Sequence, residues 1–209
     1  MKLHTLLLLL LVSLFIACQN EPEGQGFSPG SIKVLKEVNK NGDYRYRGDL
    51  VKAVSWEDAK GQNTFVMSAR PKFQISEELY RKRFYAYHYV QTPDTLIRIH
   101  YMTDAADSCI CDCEVSLVDG KIHIDDLNGD EIAELWFAYY LDNRCDVSPV
   151  EMGMALWSNG RQLLLRGPVP PPEDNQWKDP LPDPYVDPAS TLTDMNLRTR
   201  ARALWEEFK

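Results

Sequence analysis

The stretch Ile124–Pro149, IDDLNGDEIAELWFAYYLDNRCDVSP, decides how the rest of the chain is read. It opens as an acidic turn, passes into the aromatic run Leu135–Leu141 and ends at Cys145 in a second polar loop. Asn, Gly and Asp tolerate positive φ and hydrogen-bond their own backbone, which suits a tight connection between strands. Outward from it, β-rich segments alternate with turn signals. Ser31–Val38, Leu50–Trp56 and Thr64–Ala69 are separated by Asn41-Gly42 and Gly61-Gln62, and Phe84–Gln91 and Thr95–Met102 meet around Pro93-Asp94. Met152–Trp157 and Leu163–Arg166 flank Ser158-Asn159-Gly160, a hairpin signal. The pattern predicts a mainly β, single-domain antiparallel meander over residues 31–167. Ser76, with Glu77 and Glu78 behind it, predicts a short helix near 76–82. The proline-dense stretch 168–190 reads as an extended strap anchored by Trp177 and Tyr185, and 191–209 as a helix capped by Asp194. Leu197, Ala201, Leu204, Trp205 and Phe208 form one apolar stripe that docks on the sheet.

The acidic turn also carries chemistry. Asp126, Asn128 and Asp130 alternate, Gly129 permits a sharp bend, and Glu134 follows. Together with the Ile132 carbonyl, these groups supply oxygens of the kind that hold calcium. An EF-hand is excluded, because its twelfth position is Phe137 and its sixth Glu131. The spacing resembles the calcium loop of FG-GAP repeats, with Glu134 where that pattern carries Asp, and implies a structural calcium ion. The metal-free reading is a plain strand connection. No second copy of the loop exists to build a propeller.

At the amino terminus, Lys2 and His4 precede the apolar run Leu6–Ala17, short for a transmembrane helix and followed directly by Cys18. Residues 1–17 resemble a bacterial lipoprotein signal peptide, with Phe15 where that pattern has Leu. The resemblance implies that Cys18 is the acylated, palmitate-bearing first mature residue, with 18–30 as a flexible tether. Several acyl chains, at ~0.8 kcal/mol per buried CH₂, make such an anchor permanent. Gln19 resembles an outer-membrane sorting residue, and Glu21 and Glu23 resemble surface-export signals of Bacteroidota lipoproteins. The expected location is therefore lipid-anchored in the outer membrane, on its periplasmic or cell-surface face.

Charge and cysteine content narrow the function classes. Of the 23 basic residues only Lys2 precedes Cys18, and 31 acidic residues remain beyond it. Such a surface predicts no nucleic-acid partner, and Arg198, Arg200 and Arg202 read as the solvated face of the last helix. Cys109, Cys111, Cys113 and Cys145 form an even set outside the cytosol and read as two disulfides rather than a zinc site. Four cysteines allow three connectivities, of which Cys113–Cys145 with Cys109–Cys111 is the expected one. His88, His100 and His123 sit among strand residues without ligand spacing and read as structural.

The segments YAYHY (Tyr85–Tyr89), DCEVSL (Asp112–Leu117), DLNGDEIAELWFAYY (Asp126–Tyr140), CDVSP (Cys145–Pro149) and LLLRG (Leu163–Gly167) resemble a family of secreted bacterial proteins and lipoproteins. Some members are labelled surface polysaccharide biosynthesis proteins. The resemblance implies a non-catalytic envelope lipoprotein that supports or binds part of a surface-polysaccharide apparatus, partnered by glycan or by proteins of that apparatus. Tyr87, Trp136 and Trp157 would be sugar platforms if exposed and core if strand alternation buries them. The alternative is an envelope hydrolase using the acidic loop's carboxylates on glycan. No nucleophile elbow, phosphate loop or H-E-x-x-H helix is present, so the non-catalytic reading leads.

Overall fold

Side-chain alternation along the strands builds two apolar faces per sheet, and the chain satisfies them by layering. The structure is a computed structural model describing residues 30–39, 44–172 and 177–209. The leader, Cys18, most of the tether and the Asn41-Gly42 turn lie outside the described residues. The amino-terminal half forms one antiparallel sheet from β1 (Gly30–Leu35), β2 (Asp49–Asp58), β3 (Gly61–Ala69), β4 (Phe73–Gln74), β5 (Tyr80–Gln91) and β6 (Leu96–Cys109). Both β3 and β4 lie along one side of β5, with β6 on the other. The second half forms the other sheet from β7 (Glu114–Asp125), β8 (Glu134–Asp142), β9 (Val150–Ser158), β10 (Arg161–Val169) and β11 (Tyr185–Val186), in meander order. The fold is mainly β and does not close into a barrel.

Between the sheets, Trp56, Phe65, Met67 and Phe84 pack with Leu135, Phe137, Tyr139 and Trp157. The Phe65 and Phe137 rings lie 4.9 Å apart and tilted, a favourable aromatic geometry. The outer face of the second sheet, carrying Trp136, Met152, Met154, Leu156 and Leu165, is covered by α1 (Met195–Phe208). All five residues of its predicted stripe are buried, and Asp194 caps it by accepting from the Leu197 N–H at 2.9 Å. On the far face of the first sheet, Tyr85, Tyr87 and Tyr89 lie under Val38, Tyr44 and Tyr46. Among the described residues no helix is long and apolar enough to cross a membrane.

Three expectations are corrected. The helix near 76–82 does not form. Residues 75–78 are a bend closed by Ile75 and Ser76 N–H bonds to the Leu79 carbonyl, and Tyr80 already begins β5. Non-local pairing overrides the local capping signal there, since Tyr80 and Arg81 pair with β4 and Lys82 and Arg83 with β6. Within the extended strap Tyr185 and Val186 add β11 to β10, so Tyr185 is held by backbone pairing and not by a buried ring. The buried residues of the strap include Pro171 and Pro184, Trp177 is half-buried, and Tyr185 is exposed.

The disulfides, present as two pairs, connect differently from expectation: Cys109 with Cys113, and Cys111 with Cys145, at Cα separations of 5.4 and 5.1 Å. The reason is the sharp reversal between β6 and β7, where Ser108 has a φ of 56°. It turns Cys109 and Cys113 together into the core and leaves Cys111 and Cys145 outside. The Asp112 N–H bond to the Arg144 carbonyl, 3.0 Å, holds the two outer loops side by side. Bridging residues 34 apart restricts the unfolded chain far more than bridging residues 4 apart. Replacing Cys111 and Cys145 by Ala is expected to lower urea-unfolding stability by roughly 3–4 kcal/mol. Peptide mapping of the parent under non-reducing conditions should recover Cys111 joined to Cys145; a Cys113–Cys145 peptide would contradict the arrangement.

Candidate functional site

The acidic loop sits at one end of the sandwich, and its carboxylates are turned onto its own backbone. Asp126 accepts from the N–H groups of Gly129, Asp130 and Glu131 at 2.8, 3.2 and 2.9 Å. Asn128 Oδ1 accepts from Asp130 N–H, and Asp130 Oδ1 from Ile132 N–H. Gly129 and Glu131 supply the positive φ that the turn requires, 74° and 63°. Glu134, fully buried, accepts from Leu127 N–H, Asn128 Nδ2 and Ser158 Oγ at 2.8, 3.0 and 2.9 Å. Burial, reinforced by Asp130 and Asp126, pushes its pKa up to about 7 against the pull of those donors.

Calcium takes six to eight oxygens. A carboxylate has about four lone-pair directions, and Asp126 has already committed three to amides. Among the described residues no three His, Cys, Asp or Glu side chains converge on one point. In this arrangement Asp126, Asn128, Asp130 and Glu134 hold the turn's own donors, and a calcium ion there would share those oxygens with them and draw further on the Ile132 carbonyl. The turn also ties the sheets together, since Ala133 N–H donates to Asp58 Oδ2 at 3.2 Å and Ala59 N–H to the Glu131 carbonyl at 3.0 Å. Asp126→Ala would strip the Gly129 and Glu131 amides of their acceptor, leaving Asp130 N–H on Asn128, and is expected to lower the thermal midpoint by several degrees, equally in millimolar calcium and in chelator. A midpoint that rises with calcium in the parent but not in the variant would restore the metal.

The aromatic candidates are core. Tyr87, Trp136 and Trp157 are at most 2% exposed, which removes them as sugar platforms. Trp157 instead stacks on the buried cross-strand pair His88 and His100, with ring centroids 5.0 Å from His100 and 6.5 Å from His88. Asn63 donates its Nδ2 to the Gly61 carbonyl, so its Oδ1 faces His88 Nε2 at 2.8 Å and fixes that nitrogen as the protonated one. His123 is exposed at the edge of β7, with its ring beside Phe208.

The open site, which the sequence did not disclose, is at the margin between β6 and β9–β11. A cleft of about 660 Å³ is lined by Asp104, Glu151, Arg166, Tyr185 and Asp187, with Asn143 at its side. Arg166 Nη2 meets Asp104 Oδ2 at 2.5 Å and its Nε meets Asp187 Oδ2 at 2.7 Å. Burial opposes the guanidinium's charge, but Tyr139 and the two carboxylates outweigh it and raise its pKa. Tyr139 donates its hydroxyl to Asp104 Oδ2 at 2.8 Å. Its ring lies over Gly153, where an added Cβ would fall 2.3 Å from a ring carbon, so only glycine admits this crossing. Asp107 is held apart by a two-pronged bond from Arg81, at 2.8 and 2.6 Å. Glu151 faces the same cleft and accepts no hydrogen bond from the described residues; burial raises its pKa, with Arg166 opposing and Asp104 adding.

The available signal was one inward charge. Arg166 follows Leu164 on the core-facing side of β10, a position that requires a buried partner, but its partners are 21 and more residues away in sequence. Comparison of the chain with protein-family models, curated proteins and solved structures finds no match.

The buried histidines give a pH dependence. Burial, with Lys60 adding, lowers the pKa of His100 to about 4. Burial, with His100 and Lys60 adding, lowers that of His88 further below its ordinary value. The unfolded chain therefore binds more protons than the native one below about pH 6.5, and stability falls as pH drops from there toward about 4. Glu134 acts oppositely, because its raised pKa gives the native state the extra proton between 4.5 and about 7. His100→Phe keeps a ring against Trp157 and leaves Glu134 untouched. Urea unfolding at about pH 7 and about pH 5 should show a smaller acid loss in the variant than in the parent; equal losses would remove His100 from the account.

Proposed function

We propose that the protein is a non-catalytic cell-envelope lipoprotein, anchored through acylated Cys18, that supports a surface-polysaccharide apparatus by binding glycan in the cleft between β6 and β9–β11. The observation that carries this reading is the cleft itself. Its volume, about 660 Å³, falls in the range of small-ligand sites. An exposed aromatic, Tyr185, stands beside it, and a fixed set of acceptors and donors lines it. An apolar ring face beside positioned polar groups is the chemistry that holds a pyranose, whose faces carry C–H groups and whose rim carries hydroxyls.

Hydrolysis by the acidic loop gains nothing from the geometry. Glu134 is fully buried, Asp126 already accepts three amides, and neither lines the cleft. The cross-links and the Arg166 bonds support a rigid scaffold rather than a moving catalyst.

Binding of envelope oligosaccharides by the full chain in detergent, followed by calorimetry and saturation-transfer NMR, tests the reading. The expected result is a saturable interaction that weakens roughly fivefold in Tyr185→Ala, as loss of one stacking aromatic of about 1 kcal/mol implies. An unchanged affinity in that variant would move the glycan elsewhere, and no binding of any glycan would remove the proposal.

A further inference from the structure

Five charged side chains border the cleft, and four of them are already engaged. Asp104 Oδ1 takes the Ala105 N–H at 2.9 Å, and its Oδ2 takes Tyr139 and Arg166. Asp187 takes the Ala189 N–H at 2.8 Å and Arg166. Asp107 is held by Arg81, and Arg166 is shared between Asp104 and Asp187. Glu151 differs: among the described residues it accepts no hydrogen bond, and Arg166 acts on it through charge. It projects from the same face of β9 as Ala155 and Trp157, toward the facing sheet, and is only partly exposed. A carboxylate accepts and cannot donate, so Glu151, partly buried and offset by the charge of Arg166 but by no hydrogen bond among the described residues, keeps its oxygens open to a donor.

We infer that Glu151 is the specificity-determining acceptor of this cleft, reading paired hydroxyls or an amine on neutral or amino sugars and excluding sugars that carry carboxylate or sulfate. The inference rests on the glycan-binding reading above and adds the ligand's charge class to it. Two neighbouring hydroxyls can donate to the two oxygens of one carboxylate, and an ammonium group does so with charge assistance. An acidic sugar would bring a further anion beside Asp104, Glu151 and Asp187; among the described residues the nearby cations are already paired, Arg166 with Asp104 and Asp187 and Arg81 with Asp107. Like charge at such range is strongly unfavourable where water is partly excluded. The aromatic Tyr185 contributes to every sugar alike, so affinity and charge selection reside on different residues.

The test uses the full chain in detergent and three trisaccharides of matched linkage: a neutral hexose, its 2-amino counterpart and its uronic acid counterpart. The expected outcome is that the first two bind and the uronate binds at least tenfold more weakly, with the gap shrinking at high salt. In Glu151→Gln, neutral and amino sugars should weaken several-fold while the uronate gains, closing most of the gap. Because Glu151 holds up no neighbour, the variant should fold with a thermal midpoint at or above the parent's, so the change cannot be ascribed to unfolding. Uronate binding as tight as neutral binding in the parent would overturn the inference and leave the glycan reading standing. Selectivity that persists unchanged in Glu151→Gln would also overturn it. Failure of all three sugars to bind would count against both.

Discussion

A single guanidinium joins the parts of this fold. Arg166 lies on β10 in the second sheet, Asp104 on β6 in the first, and Asp187 in the segment after β11. Placing an inward charge on a core strand is unfavourable unless its desolvation is compensated. Here the compensation comes from two other parts of the chain, so forming the bonds brings both sheets and the strap into one geometry. Removing Arg166 would leave Asp104 and Asp187 partly buried without their shared cation, whereas removing one carboxylate leaves the guanidinium paired with the other. The same requirement keeps the margin open, because side chains engaged with one another cannot also fill the space beside them.

At the opposite end the sheets are joined by backbone. The acidic loop consumes its own carboxylates as turn acceptors and reaches across to Asp58 and Ala59 through Ala133 and Glu131. Glu134 is the interior support of that loop, with three donors around it and no exposure. A loop stabilised this way gains rigidity from each amide it satisfies and has correspondingly few oxygens left to offer.

How much of this could be read from residues follows from the range of each interaction. The Asn159-Gly160 hairpin was legible because both residues must adopt positive φ locally, and they do, at 43° and 79°. Asp194 and the stripe from Leu197 to Phe208 were legible because capping and the period of a helix are properties of adjacent residues. The segment 76–82 misled for the same reason, since its capping signal is real but weaker than the strand pairing that arrives from β4 and β6. The cysteine pairing required the direction of each side chain across a reversal at Ser108, which spacing alone does not encode. The alternate oxygens of Asp126, Asn128 and Asp130 were legible as a turn and as a metal loop alike, and only the positions of their hydrogen bonds separate the two.

The cleft was hidden because acidity is common in this chain and carries no address. With 31 acidic residues in the chain, the presence of carboxylates alone singles out no site. What distinguishes a site is whether a carboxylate still has capacity once the fold has formed. Asp126 and Glu134, conspicuous in sequence, each already accept three hydrogen bonds, while Glu151, flanked by the unremarkable Val150 and Met152, accepts none among the described residues. Its position follows from β9 alternating Met152 and Met154 toward α1, which leaves Glu151 and Gly153 on the side of the facing sheet. The glycine that admits Tyr139 and the glutamate beside the cleft are thus set by one strand register, and a slip of one residue in β9 would exchange both for core methionines.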